Sequence, residues 1–520
     1  MKKMTKLVVL MVVMTMVISI LTGCGGNSKT KAKSKDSEVV IGIPSVTESF
    51  NFYNTTNGYE SYSMTQVYDS LVTKDAEGAI IPSLAEAYDV SEDGMVYTFH
   101  LRKDVNFSDG ANFKAADVVF SMNQALVSSY TSWIYEPLVA SCEAVDDYTV
   151  VINLKKGSIG FLDYLSNINY FAVLSENAVT KAGDTYGTTP ETIVGTGAYV
   201  VTEWTAGSYV KYKANENYFL GEPSIKNVRL KAISDSNTAV IALKTGEIQA
   251  YFDNIPGVSY DSIKKEEDLK LVDYASTTYF EIIMNCQNGI FSDPTMREAV
   301  ALAIDREDMM EVGAQGQGAI CDYPDDRDGF TQGDPELDDV WYQQDIDAAK
   351  ALVKDAGLEG KTVTIKTYAD EPYPTLATIL QDALNNIGLK AEVLQMDRSA
   401  FIDEALTKGD YEIGICRWAA GTKDMDELWY GSLHTDSIGS PGNWSWYSNS
   451  EMDNLLVQAA GETDSDARKE MYAKAINIFV KDIPQIPLYY PNGSRAYSSD
   501  LSIEDGLVEY DKLFNYSWTN

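Results

Sequence analysis

Short runs of alternating apolar and polar residues recur along this chain, and each predicts a strand. Residues 95–101 alternate in this way, and 38–43, stopped by Pro44, and 148–154 also read as strands. Three more, at 198–204, 209–213 and 228–233, are joined by turns containing Gly and Asn and predict strands of one sheet. Helical spacing appears between them. Residues 62–71 predict a helix, and Ala115, Val119, Met122 and Leu126 are spaced to make one apolar helix face. Asp235 is placed to cap a helix ending at Gly246, with a strand predicted over 248–252. From Asp345 the rhythm changes. A helix runs to Gly357, then come a strand (362–367), a helix (375–387), a strand (390–396), a helix (399–407) and a strand (411–416). This order predicts a parallel sheet with helices on its faces. Ligands of such sheets gather beyond the carboxyl ends of the strands. That rule nominates Tyr368, Asp370, Asp397, Arg417 and Trp418 as candidate site residues.

The amino-terminal pattern is different. Lys2, Lys3 and Lys6 precede an almost wholly apolar run over 7–21. The run is short of the ~20 residues a membrane span needs and fits the apolar region of a secretory signal. It closes with Leu21-Thr22-Gly23-Cys24, which resembles the lipobox of bacterial lipoproteins. The resemblance implies a signal peptide over 1–23 and a lipid-modified Cys24 that tethers the protein to the cell membrane, facing the extracytoplasmic side. Residues 24–37 are rich in Gly, Ser, Thr and Lys and predict a flexible tether.

At 520 residues the chain is too long for one ordinary core, so at least two lobes are expected. It carries 41 basic and 77 acidic residues, a net charge of −36. Such a body repels phosphate backbones and anionic lipid, which argues against nucleic acid as a partner and leaves the lipid as the membrane contact. His100 and His434 are the only histidines, which excludes a histidine-rich metal centre. Cys142, Cys286, Cys321 and Cys416 have no ligand spacing and read as buried thiols. No metal and no cofactor are expected. The chain has no G-x-S-x-G turn. Gly360-Lys361-Thr362 lacks the opening glycine of a phosphate loop, because Asp355 stands there. Nothing here supports catalysis, although a secreted lipoprotein hydrolase stays open as the rival class.

Several blocks, in order, carry a family resemblance. Val67-Tyr68-Asp69-Ser70-Leu71 is followed by Pro82-Ser83-Leu84-Ala85-Glu86 and by Phe107-Ser108-Asp109-Gly110. Ala116 to Ser121, Gly195-Thr196-Gly197-Ala198-Tyr199 and Asn215-Glu216-Asn217-Tyr218-Phe219 continue the match, and the block from Arg297 to Arg306 matches strongly. Together they resemble the family 5 extracellular solute-binding proteins, the peptide- and nickel-binding group that serves ABC importers. The resemblance implies an α/β, two-lobed periplasmic-binding-protein-like fold of type II, with an extra subdomain inserted in lobe one. Lobe one would comprise 38–80, 190–278 and 485–520, the inserted subdomain 81–189, and lobe two 279–484. The blocks themselves are expected to determine the fold rather than touch ligand.

The resemblance also implies a function. A monomeric receptor would capture a small polar solute, an oligopeptide on family frequency, and deliver it to importer permease subunits with their cytoplasmic ATPases. An oligosaccharide, an opine-like conjugate or a metal chelate are the alternatives. In peptide-binding relatives an Asp after the lobe-two Trp holds the peptide ammonium; here that place falls on Gly421. Thr422 and Asp424 share the loop, and Asp424 or Asp426 could take over the role if the loop shifts. Arg417 suits an anionic or hydroxyl-rich ligand group.

Overall fold

The computed structural model describes residues 37–54, 61–75, 78–324, 341–419, 424–439, 442–503 and 512–519. The signal, the tether with Cys24, and Gly421 and Thr422 lie outside the described residues.

One twelve-stranded sheet runs through the described residues. At one end, Thr362–Tyr368 pairs in parallel with Lys390–Met396 on one side and with Ile413–Ala419 on the other. Helix Tyr373–Asn386 and the wider turns of Phe401–Thr407 make the connections. This is the strand–helix order read from the pattern. The last strand extends three residues past its predicted end, because Thr278–Met284 pairs with it as far as Thr278 opposite Ala419. Arg417 and Trp418 therefore belong to the strand and not to the loop beyond it.

Gln485–Ser498, 14 residues long, joins the two halves of the sheet. Its first residues pair with Thr278–Met284, and its last with Leu269–Ala275 and Ala250–Tyr251. In the second half Glu38–Ile43 lies parallel to Asn227–Ala232, followed by the antiparallel Tyr209–Ala214 and Tyr199–Thr205. A separate antiparallel sheet holds Ala85–Val90, Val96–Leu101, Thr149–Leu154 and Val139–Asp146. Helix Ala115–Val127 packs on it, burying Ala115, Val118, Met122 and Ala125. The spacing is as read, but the stripe is turned, so Val119 and Leu126 are only half-buried.

The buried apolar residues divide the same way. One core draws on residues between Val39 and Leu230, with Leu501, Leu513 and Tyr516, and another runs from Tyr279 to Tyr490. A smaller group around Ile233, Leu243 and Tyr251 joins the half that holds Glu38–Ile43 through Ala496. Two bodies thus share one sheet through a few strands.

The helix expected over 62–71 is confined to Ser61–Met64. Beyond it the carbonyls of Gln66 and Val67 accept from the backbone of Tyr199 (2.9 Å) and Gly197 (2.8 Å), so they leave the helical pattern. The strand expected over 248–252 shortens to Ala250–Tyr251. The blocks that carried the resemblance meet in this region. Asp69 accepts from Lys512 at 2.6 Å, Thr196 at 3.0 Å and the Tyr218 hydroxyl at 3.1 Å, and is fully buried. Arg297 donates to the carbonyls of Asp482, Ile483 and Phe291 at 2.8–2.9 Å. It thereby closes the end of helix Ser465–Asp482, just ahead of the joining strand. Both are roles in folding, since unpaired carbonyls at a buried helix end are costly.

Candidate functional site

The side chains of Arg417 and Trp418 leave opposite faces of one strand, because side chains alternate along it. Arg417 stands opposite Phe280 and Trp418 opposite Tyr279. Arg417 is exposed at the rim of an aromatic group. Phe280 stacks on Tyr489 with centroids 5.0 Å apart and packs on Tyr373 at 5.5 Å. Tyr368 is buried edge-on against Tyr373 (4.7 Å) and Phe401 (4.6 Å), with the Arg398 guanidinium 4.9 Å above its ring. Burial pushes the Tyr373 hydroxyl up to about 12, although Arg417 lies close enough to pull it down. That hydroxyl is buried without a hydrogen-bond partner among the described residues. Two guanidiniums, Arg398 and Arg417, thus flank one tyrosine pair at the carboxyl edge of the parallel strands. Asp370 is exposed beside them, and its carbonyl accepts from the Tyr373 backbone.

Trp418 is less open than a stacking platform would be. Its ring packs against Trp444 at 4.9 Å, tilted by 55°. The approach is made possible by two glycines: a Cβ on Gly442 would lie 2.7 Å from the indole, and one on Gly431 3.2 Å. The indole nitrogen is buried and finds no hydrogen-bond partner among the described residues. On the same face Glu281 is buried within the apolar strand Thr278–Met284. Its Oε1 accepts from the Cys416 thiol at 3.4 Å, while Oε2 has no hydrogen-bond partner among the described residues. Burial pushes its carboxyl up to about 8. The sequence signal for Glu281 was present, as one charge in an otherwise apolar and aromatic strand, but was not singled out.

Asp424 is held by contacts within the protein. Its side chain caps helix Met425–Leu433, accepting from the Asp426 backbone at 2.8 Å. Both of its carboxylate oxygens also accept from Arg468, at 2.6 and 2.7 Å. A carboxylate so engaged is a structural partner of Arg468. Asp426 and Glu427 follow it, both buried. Burial, then the charge of Asp424, pushes Asp426 up to about 7. Glu427 accepts from the Tyr170 hydroxyl at 2.6 Å. Neither Tyr170 nor Arg468 carried a signal in the sequence, because their partners lie far off along the chain.

A two-lobed α/β fold with its candidate site at the carboxyl edge of a parallel sheet defines a solute-binding protein of the periplasmic type. Residues 79–440 match the model for bacterial extracellular solute-binding proteins, family 5. The chain belongs to that family, so it is a binding protein and not an enzyme, and it works outside the cytoplasm. It is 26% identical over 530 residues to the oligopeptide-binding protein AppA of Bacillus subtilis, covering 96% of each chain. It is 30% identical over 484 residues to the glutathione-binding protein GsiB of Salmonella choleraesuis, covering 89% of this chain and 91% of the relative. Among solved structures, the periplasmic binding protein DppA of Helicobacter pylori, in complex with the peptide STSA, superposes with a TM-score of 0.82 at 25% identity. That match covers 93% of this chain and 98% of the other.

Proposed function

We propose that this protein is the receptor of an ABC importer, captures an oligopeptide between its two lobes as a monomer, and is held at the membrane by lipid on Cys24. The lobes would take the bounds 38–80, 190–278 and 485–520 for the first, with 81–189 inserted in it, and 279–484 for the second. The observation that carries the ligand reading is the similarity over nearly the whole chain to proteins named for peptides, together with the site edge built from Arg398, Arg417, Tyr368 and Tyr373. Two cations at that edge favour a ligand with a carboxylate there. The ammonium end is the weak one. Gly421 stands at the expected Asp, and Asp424 is engaged by Arg468. Peptides with a free and an acetylated amino terminus should therefore bind alike.

Mass spectrometry of the solute released on denaturing protein purified without refolding identifies the ligand. A sugar or a metal chelate in place of a peptide would overturn the reading. Calorimetry on matched free and acetylated peptides then tests the amino-terminal claim, which a strong loss on acetylation would sink. For the anchor, Cys24→Ala should move the protein from the detergent phase to the aqueous phase of Triton X-114. Wild type already in the aqueous phase would remove the lipid. Several buried acyl methylenes at ~0.8 kcal/mol each make the expected shift large.

A further inference from the structure

The strip of chain 156–170 lies against helix Met425–Leu433, and the two sides belong to different cores. Phe161, Tyr164 and Tyr170 belong to the first core, and Met425, Leu428 and Trp429 to the second. The two sides meet in a seam between the two bodies. It is joined by the Tyr170 hydroxyl donating to Glu427 at 2.6 Å and by the Ile159 backbone donating to the Ala460 carbonyl at 3.2 Å. The Lys156 ammonium lies 4.9 Å over the Tyr430 ring. Gly160 stands against Asp424, where a Cβ would come within 3.9 Å of the carboxyl carbon. Under this seam sit two adjacent carboxyls, Asp426 at 8% exposure and Glu427 at 4%.

The surroundings of Asp426 are unbalanced. Its own helix supplies Asp424, Glu427 and Tyr430. Helix Ser465–Asp482 supplies Arg468 and Tyr472, and Arg468 already holds both oxygens of Asp424. The opposite side of the seam supplies Lys156 and Tyr164, with Tyr170 bonded to Glu427. Among the described residues, two further acids therefore share a buried site whose guanidinium, Arg468, is engaged by Asp424.

We propose that the seam is a proton-coupled latch: closing it covers Asp426 and Glu427, Tyr170 satisfies Glu427, and Asp426 takes up one proton from water.

The closed seam raises the Asp426 carboxyl from 3.8 to about 7, through burial first and the charge of Asp424 second. In an opened seam the group is solvated and titrates in the ordinary carboxylate range. The closed form then holds more protons than the open form. Closure is strongest below the ordinary range and weakens by about a decade per pH unit as pH rises toward 7, flattening above it. The latch is thus tight in mildly acidic surroundings and loose at neutral pH.

Hydrogen-exchange mass spectrometry on the ligand-free mature protein tests this at pH 5.5 and 7.5, with rates corrected for intrinsic exchange. Peptides spanning 157–170 and 424–433 report the seam, and peptides from strand Thr149–Leu154 report global change. In wild type, seam protection should fall by roughly tenfold or more at the higher pH while the reference strand changes less. Asp426→Asn should keep its seam protection at both pH values. Tyr170→Phe should lose protection at both and keep the wild-type pH dependence. Seam protection independent of pH in wild type, Asp426→Asn following wild type, or Tyr170→Phe leaving the seam unchanged would each overturn the proposal. The wild-type profile and Tyr170→Phe decide the matter even where Asp426→Asn does not fold. No ligand enters the measurement, so its failure leaves the receptor reading standing, and the released-solute experiment judges that reading separately.

Discussion

Asp424 and Arg468 form a nearly buried pair, with side-chain exposures of 13% and 7%. Asp424→Asn would take from the buried Arg468 guanidinium the carboxylate that meets two of its nitrogens. Such breaks cost about 3–5 kcal/mol, and urea unfolding should show a loss of that order. A loss under about 1 kcal/mol would mean that solvent reaches the pair and screens it. Glu281 makes the opposite case, as a buried carboxyl with one oxygen unpaired among the described residues. Its folded value of about 8 stands above the ordinary 4.5 of a solvated glutamate. The stability linked to it is complete below the unfolded value and is lost as pH rises through about 8. Glu281→Gln should therefore gain on wild type with increasing pH, on the order of 1.4 kcal/mol per unit within that window. Melting temperatures of both proteins at pH 5, 6.5 and 8 check the sign, and a constant difference would refute it.

At the scale of elements, the loop Gly195-Thr196-Gly197 lies directly on the backbone that leaves helix Ser61–Met64. A Cβ on Gly195 would fall 2.1 Å from the Val67 carbonyl oxygen, and one on Gly197 2.5 Å from the Val67 carbonyl carbon. Backbone cannot yield as a flexible side chain can. Gly195→Ala should cost about 3 kcal/mol or more, at the upper end for single substitutions. The loss should appear as a lower urea midpoint, and a variant as stable as wild type would show that the loop moves aside freely. The same close approach lets Thr196 reach Asp69 and lets Gly197 donate to Val67. Strand Ile413–Ala419 is likewise set by its neighbour: pairing with Thr278–Met284 carries it past Cys416 and sends Arg417 and Trp418 to opposite faces.

For the whole molecule, few strands link the two bodies, and Gln485–Ser498 is continuous through both. A ligand held between the lobes should draw them together, as hinge closure requires. At about 100 times its dissociation constant it should also stabilise the fold by about 2.7 kcal/mol. Small-angle scattering with and without the co-purified solute should show a smaller radius of gyration when it is bound. Stabilisation without compaction would place the solute on one lobe rather than between them.

Much of this architecture was legible in the sequence. Strands Glu38–Ile43 and Lys390–Met396 have the bounds read from the sequence, and Asp235 and Asp345 cap their helices as read. The ordered blocks identified the family, and Asp69, Tyr218 and Arg297 among them hold the fold together. These features rest on periodicity and capping, which act within a few residues, and on long ordered similarity. The remainder depended on partners distant in the chain. Asp424 finds Arg468 44 residues away, and Tyr170 finds Glu427 across 257. The helix read over 62–71 gave way because Tyr199 and Gly197 claim the carbonyls of Gln66 and Val67. By itself the sequence determined the kinds of element, their order and the family. Only the tertiary structure decided which carboxylates are engaged, which face Arg417 and Trp418 each occupy, and where buried acids meet, because burial and charge pairing belong to neighbours in space.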